Sequence, residues 1–193
     1  QPTEEQRTSK LSWDVGPTKA AHAPSCKSCG ITGQLTGSRA DLIVADDVEV
    51  PGNSATVGAR AKLTEAIKEF EAIIVPDHGE IVFLGTPQSK ESIYTDLPER
   101  GYDVTIYPSR IPDDAKIYDG RLAAYVNRLG GEAGAAVDPD RFNEEELFER
   151  EAAYGRTGFQ LQFQLDTRLS DLERYPLRLS DLVVMDIDTE LAP

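Results

Sequence analysis

Two adjacent carboxylates, Asp46 and Asp47, close the apolar run at residues 42–45 in the stretch ADLIVADDVEVPGNSAT, residues 40–56. Like charges side by side repel, and burying such a pair is costly without a cation or hydrogen-bond donors. At the exit of a strand the pair suits a nucleotide site. One carboxylate can hold the water shell of Mg²⁺, a hard cation that prefers oxygen ligands. The other can orient or deprotonate an attacking water. A hydroxyl follows in a second apolar run, EIVFLGTP at 80–87, which ends in Gly85, Thr86 and Pro87. Ligands of open α/β sheets sit beyond the carboxyl ends of the parallel strands. If the two runs are neighbouring parallel strands, the acids and Thr86 share one edge, where the hydroxyl can sense a γ-phosphate through water. The plainer reading of the same residues is two surface acids in a turn and a Thr-Pro bend.

The segment between the two runs must position them. Leu63, Ile67, Phe70 and Ile74 recur at intervals of four, three and four, which places them on one helical face. Glu65, Lys68 and Glu69 fall elsewhere and read as solvated. Ser54 or Thr56 is a candidate cap, and Pro76 and Gly79 end the segment. Strand, helix of about 16 residues, strand is a βαβ unit with parallel strands. Further along, YDVTIYP (102–108) alternates and predicts a third strand. Residues 117–129, with Ile117, Leu122, Tyr125, Val126 and Leu129, predict a helix, and GGEAGAAVDPDRF a loop. NEEELFEREAAYG predicts a helix capped by Asn143, with Glu146 three residues later and Gly155 as its stop. FQLQFQL (159–165) has period two and favours a strand, with a short helix as the alternative. Residues 1–25 are polar and read as loop or extended structure. No internal repeat or low-complexity tract is present.

The 193 residues suit one domain, or one domain plus part of another. A net charge of −14, from 20 basic and 34 acidic residues, argues against a basic nucleic-acid platform spanning the segment. No apolar run approaches the ~18 residues of a membrane span. The start, QPTEEQRTSK, has neither an initiator Met nor a signal-peptide pattern, as expected of a piece excised from a longer protein. Cys26 and Cys29, in CKSC, have the spacing of half a zinc site, but a structural zinc needs four ligands and neither His22 nor His78 completes a familiar spacing. GITG follows where a redox CxxC would open a helix. Plain reduced thiols are the expectation.

Taken in order, three stretches resemble the large terminase subunits of tailed bacteriophages, in particular those of short-tailed, autographivirus-type podophages. They are GITGQLTGSRADLIVADDVEVPGNSAT, IVFLGTPQSKESIY and GFQLQFQLDTRLSDLERYPLRLSDLVVMDID, and the similarity runs from about residue 11 to the end. The resemblance implies an α/β fold of the P-loop NTPase (ASCE) type. Its sheet would be mainly parallel with flanking helices, incomplete at the N-terminal side, with exposed apolar surface. It implies part of an ATPase domain at 1–168 and a linker toward a nuclease domain at 169–193. LIVADD resembles a Walker B strand. Asp46 matches the Mg²⁺-associated acid and Asp47 the catalytic acid, which is Glu, one methylene longer, in many related motors. GTP matches the coupling motif, with Gly85 beside the nucleotide and Thr86 as the sensor hydroxyl. Arg39, in TGSRAD, matches an Arg that in related terminases projects toward a neighbouring subunit's nucleotide, where it would stabilise charge on the transferring phosphoryl group. A salt bridge from Arg39 to Asp41 or Asp46 is the alternative. The implied cofactors are ATP and Mg²⁺. The implied partners are double-stranded DNA, the portal protein, the small terminase subunit and like subunits in a ring. The implied location is the host cytoplasm, with no membrane.

Two parts of that pattern are missing. No G-x-x-x-x-G-K-[ST] occurs in these residues, so the phosphate-gripping loop is expected upstream. VVMDID, with Asp186 and Asp188, resembles a strand opening a nuclease site, but a linker position is preferred. The isolated chain is therefore expected to be inactive. Three competing readings stand beside the motor. A receiver domain would need an acceptor Asp and a later strand-end Lys that the chain does not supply. A metal-dependent phosphohydrolase or nuclease using Asp46 and Asp47 would need a further ligand, such as Asp103 or Asp186. The third is a non-catalytic fragment.

Overall fold

A computed structural model of the chain describes residues 6–16, 19, 21–33, 35 and 37–169. The expectations for 170–193, including the strand at 181–188 and nearly all of the linker, lie outside the described residues. The chain divides into two compact units, residues 1–100 and 101–193.

The first unit opens with a small antiparallel ribbon, β1 (Ser12–Trp13) on β2 (Cys26–Lys27). Asp14 staples it. Its carboxylate accepts from the Arg7 amide (2.8 Å), the Arg7 guanidinium (3.1 Å) and the Ser25 amide (3.1 Å). The Arg7 amide leads the interactions that hold the Asp14 carboxyl below its ordinary range. Cys26 lies in β2 and Cys29 is exposed, and neither is in a disulfide.

The strand–helix–strand expectation is met. β3 (Leu42–Asp46) and β4 (Glu80–Leu84) pair in parallel, from Leu42 opposite Glu80 to Asp46 opposite Leu84. Between them run a single turn, α1 (Pro51–Ser54), and the 17-residue α2 (Val57–Ile73). Thr56 caps α2, its Oγ1 accepting from the Ala59 amide at 3.1 Å, which satisfies one of the donors a helix start leaves open. The buried face of α2 is Leu63, Ile67, Phe70 and Ile73. Ile73 stands where the spacing pointed to Ile74, because the helix ends one residue early and Ile74 turns extended as its C-cap. This face packs on Ala45, with Ile43, Ile81 and Phe83 partly buried around it. The Phe70 and Phe83 rings lie 5.8 Å apart. Burying a side chain such as Ile67 stabilises the fold by roughly 1.5–3 kcal/mol.

Side chains alternate across a strand, so the residues between these point the other way. Leu42 (55%), Val44 (54%) and Leu84 (50%) are half exposed and Val82 (38%) somewhat less. Among the described residues the two-stranded sheet is therefore covered on one face only. After β4 the chain makes α3 (Ile93–Asp96), capped by Ser92, and a 3₁₀ turn at Leu97–Arg100.

The second unit departs further from expectation. Residues 102–108 form no strand. Ile106 makes a single bridge to Leu122, and no partner strand extends it. The helix expected at 117–129 is broken into a 3₁₀ turn (Ala115–Tyr118) and α4 (Ala124–Arg128), because Asp119 and Gly120 take positive φ between them. Tyr118, Leu122, Ala123, Val126 and Val137 form the core there. α5 (Glu144–Gln162) starts as expected. Asn143 Oδ1 accepts from the Glu146 amide (2.9 Å) and Glu146 Oε2 from the Asn143 amide (3.0 Å). Gly155, the expected stop, is a break (φ 67°, ψ 170°) after which the helix resumes. The strand expected at 159–165 is instead the end of this helix, followed by a turn. Phe159 and Phe163 sit four residues apart with rings stacked at 5.1 Å, a helical contact that outweighs the period-two pattern. Among the described residues, no helix is long and apolar enough to cross a membrane.

Candidate functional site

The parallel pairing of β3 and β4 brings the two chemistry-bearing ends to one edge. Asp46 and Leu84 are the last partners, and the Asp47 amide continues the ladder by donating to the Leu84 carbonyl at 2.9 Å. Asp47 is thus opposite the link from Leu84 to Gly85, and Thr86 is one residue further. Asp46 and Asp47 are exposed, and Thr86 is half-buried. The Thr86 carbonyl accepts from Gln88 Nε2 at 3.0 Å. Asp47 has φ 46°, the left-handed region that Asp tolerates better than most residues. The ladder therefore ends in a sharp turn that carries the second acid off the strand line.

Gly85 is required by a close approach. A Cβ there would meet the Tyr94 hydroxyl at 2.1 Å and the ring carbon bearing it at 2.4 Å. Tyr94 sits under the strand ends. Its hydroxyl donates to the Leu84 carbonyl (3.4 Å) and accepts from the Glu49 amide (3.4 Å). Burial, with the nearby charges of Glu49 and Asp47, raises the Tyr94 hydroxyl above its ordinary pKa, so it stays a neutral donor.

Glu49 is the residue that pattern reading missed. It is 1% exposed, and its carboxylate is held by backbone amides, Oε1 by Gln88 (3.0 Å) and Oε2 by Ile93 (2.8 Å). No sequence pattern signalled it, because Asp47 breaks the strand alternation at φ 46° and the partners of Glu49 come from residues 88 and 93, across the strand ends.

Arg39 is not with the acids. It precedes β3, at the other end of a five-residue strand that spans roughly 16 Å at ~3.3 Å per residue. Its guanidinium donates to the Ala72 carbonyl at the end of α2 (3.5 Å) and lines a cleft of about 400 Å³ with Ser38, Glu69 and Ile73. The expected alternative, an ion pair to Asp41 or Asp46, is not formed among the described residues. Asp41 instead meets His78 Nε2 at 3.1 Å.

The donor set can be tested against Mg²⁺. Among the described residues, no three His, Cys, Asp or Glu side chains gather to hold a metal. A site with one or two exposed carboxylates suits Mg²⁺, which keeps several waters and takes further oxygens from a phosphate substrate. The phosphohydrolase or nuclease alternative needs a protein-built cage with a third ligand. Among the described residues none is supplied, and Asp186 lies outside them.

Geometry alone defines a class, an α/β unit with paired acids and a Gly-Thr-Pro loop at the carboxyl edge of two parallel strands. The comparisons with known proteins narrow it. No protein-family model matches the chain. The terminase large subunit of Enterobacteria phage T3 is 48% identical over 202 aligned residues, which take in 100% of this chain and 34% of that protein. The chain spans about a third of the length of the relative it matches.

Proposed function

We propose that this chain belongs to the ATP-hydrolysing subunit of a motor that drives double-stranded DNA into a viral procapsid. It would contribute the acidic and coupling half of the nucleotide site. The observation that carries the reading is the whole-chain identity to the phage T3 terminase large subunit, together with the meeting of Asp46, Asp47 and Thr86 at one strand edge. Residues 1–168 are read as part of a P-loop ATPase domain and 169–193 as a linker toward a nuclease domain that makes the terminal cuts.

In this reading Asp46 holds Mg²⁺ through its water shell. The ion, when bound, neutralises charge on the phosphate oxygens. Asp47 orients the attacking water and accepts its proton. Thr86 offers its hydroxyl at the same edge, and Gly85 leaves the backbone unobstructed beside it. Arg39, on the opposite end of β3, serves a neighbouring copy rather than its own acids, which fits subunits arranged in a ring. The portal protein and the small terminase subunit are further proposed partners, and the host cytoplasm is the proposed place of action.

The test is ATP turnover by the full-length polypeptide carrying Asp46→Ala. A loss of about 100-fold or more is expected when a charge-neutralising group at a phosphoryl-transfer site is removed. Full turnover by the variant would sink the reading. The chain by itself, lacking the G-x-x-x-x-G-K-[ST] loop, is expected to hydrolyse ATP negligibly.

A further inference from the structure

We propose that Glu49 is a positioning residue that locks the Gly85-Thr86-Pro87 arch to the segment bearing the paired acids. The inference rests on the ATPase reading for its consequence, though not for its geometry.

The arch has two feet. On the near side, the Leu84 carbonyl accepts from the Asp47 amide at 2.9 Å. On the far side, the Gln88 amide donates to Glu49 Oε1 at 3.0 Å. Both anchors come from residues 47–49, so the three-residue arch is strapped at either end to the stretch that carries Asp47. The other oxygen, Oε2, takes the Ile93 amide at 2.8 Å, and the Glu49 amide donates to Tyr94. Glu49 thus joins three points of the chain: the exit of β3, the end of the arch and the start of α3. Movement of Thr86 relative to Asp47 requires breaking this clasp.

The chemistry of the clasp demands a carboxylate. Two backbone N–H groups converge on it from different directions, and an ionised carboxyl is acceptor-only on both oxygens. Glutamine has nearly the same shape but presents an NH₂ to one of those amides, setting donor against donor. Aspartate is one methylene shorter and cannot reach both. Glu49 is also too buried to act directly on a phosphate in solvent. Its effect would pass through the placement of Thr86, which the arch carries.

The experiment uses the full-length polypeptide with E49Q. Misplacement of a site group by about 1 Å can cost roughly 100-fold in rate, so kcat for ATP is expected to fall by up to about that much with KM held within about twofold. The amides of Gln88 and Ile93 should exchange with solvent about tenfold faster, as one lost hydrogen bond to a charged group implies. A purely structural role would lower the fraction of folded sites and leave kcat per folded site unchanged, which would overturn the proposal. So would unchanged protection of both amides. If the wild type itself turned over no ATP, the ATPase reading would fail and the exchange measurement alone would decide the clasp. Should E49Q not fold, Gln88→Pro removes the far-foot N–H, leaving the carboxylate and its bond to Ile93, and Gln88→Ala is its control because both variants lose the side-chain bond to the Thr86 carbonyl. Wild-type kcat and KM in Gln88→Pro would overturn the proposal.

Discussion

The Tyr94 hydroxyl occupies the space a side chain at Gly85 would need, 2.1 Å from the position of a Cβ. The two residues are therefore a matched pair. Gly85→Ala is expected to displace the Tyr94 ring, break its bonds to the Leu84 carbonyl and Glu49 amide, and destabilise the first unit by about 1–3 kcal/mol. Because Tyr94→Phe removes the same hydroxyl, the double variant should cost less than the sum of the two singles, as residues in contact couple. Urea denaturation of the four proteins measures this. Strict additivity would show that Gly85 is chosen for another reason.

An acid-side contribution to stability comes from α5. Glu144 accepts from the Arg110 guanidinium and from the Ala136 amide (2.6 Å). The Arg110 bond, then the amide, hold its carboxyl below the ordinary value of 4.5. A group whose folded pKa is depressed contributes stability that is present above its unfolded pKa and is lost as pH falls through the folded one. Glu144→Gln cannot titrate. The urea midpoint of the variant should therefore fall below that of the wild type at pH ~7, and the gap should close as pH drops below about 4.5. Asp14 and Asp166, also held low, are common to both proteins and cancel in the difference. A gap independent of pH would remove the ion pair from the account.

How far these features were legible follows from how local their causes are. The βαβ unit was readable because two apolar runs flank a helix whose buried face recurs at helical spacing, and the cap Thr56 sits at its start. The second unit was less so. FQLQFQL carries both a period of two and a Phe-x-x-x-Phe pair, and only the surrounding helix decides between them. YDVTIYP alternates well, but a strand needs a neighbour, and tertiary context gives Ile106 just one bridge. At the candidate site, Asp46, Asp47 and Thr86 were visible because strand ends announce themselves. Glu49 and Tyr94 were not, because their roles exist only once the chain has returned across the strand ends.

Gly155 tests whether the break in α5 matters. Its φ of 67° with ψ of 170° lies in a region essentially reserved for glycine. Gly155→Ala should cost about 1–3 kcal/mol, even though alanine is the better helix former, because a straightened α5 would rotate Phe159 out of its buried position. Circular dichroism and a thermal melt separate the outcomes. A rise in both helicity and melting temperature would mean that the break is tolerated rather than required.

Asp47 offers the sharpest functional test because its backbone and its side chain can be separated. At φ 46° an alanine would add strain, so a loss of activity in Asp47→Ala could come from the backbone alone. Asparagine also tolerates the left-handed region and keeps nearly the same shape, but it can neither accept a proton from water nor carry charge. In the full-length polypeptide, Asp47→Asn should retain the wild-type melting temperature while ATP turnover falls about 100-fold or more, the usual contribution of a positioned general base. Nucleotide affinity should be preserved or raised, since a negative charge facing the phosphates has been removed. Asp47→Glu restores the carboxylate but carries the same left-handed strain as alanine, so it is compared with Asp47→Ala, whose turnover it should exceed if the acid matters. If Asn supported full turnover, Asp47 would be only the turn residue that ends β3, and the base would have to be sought elsewhere.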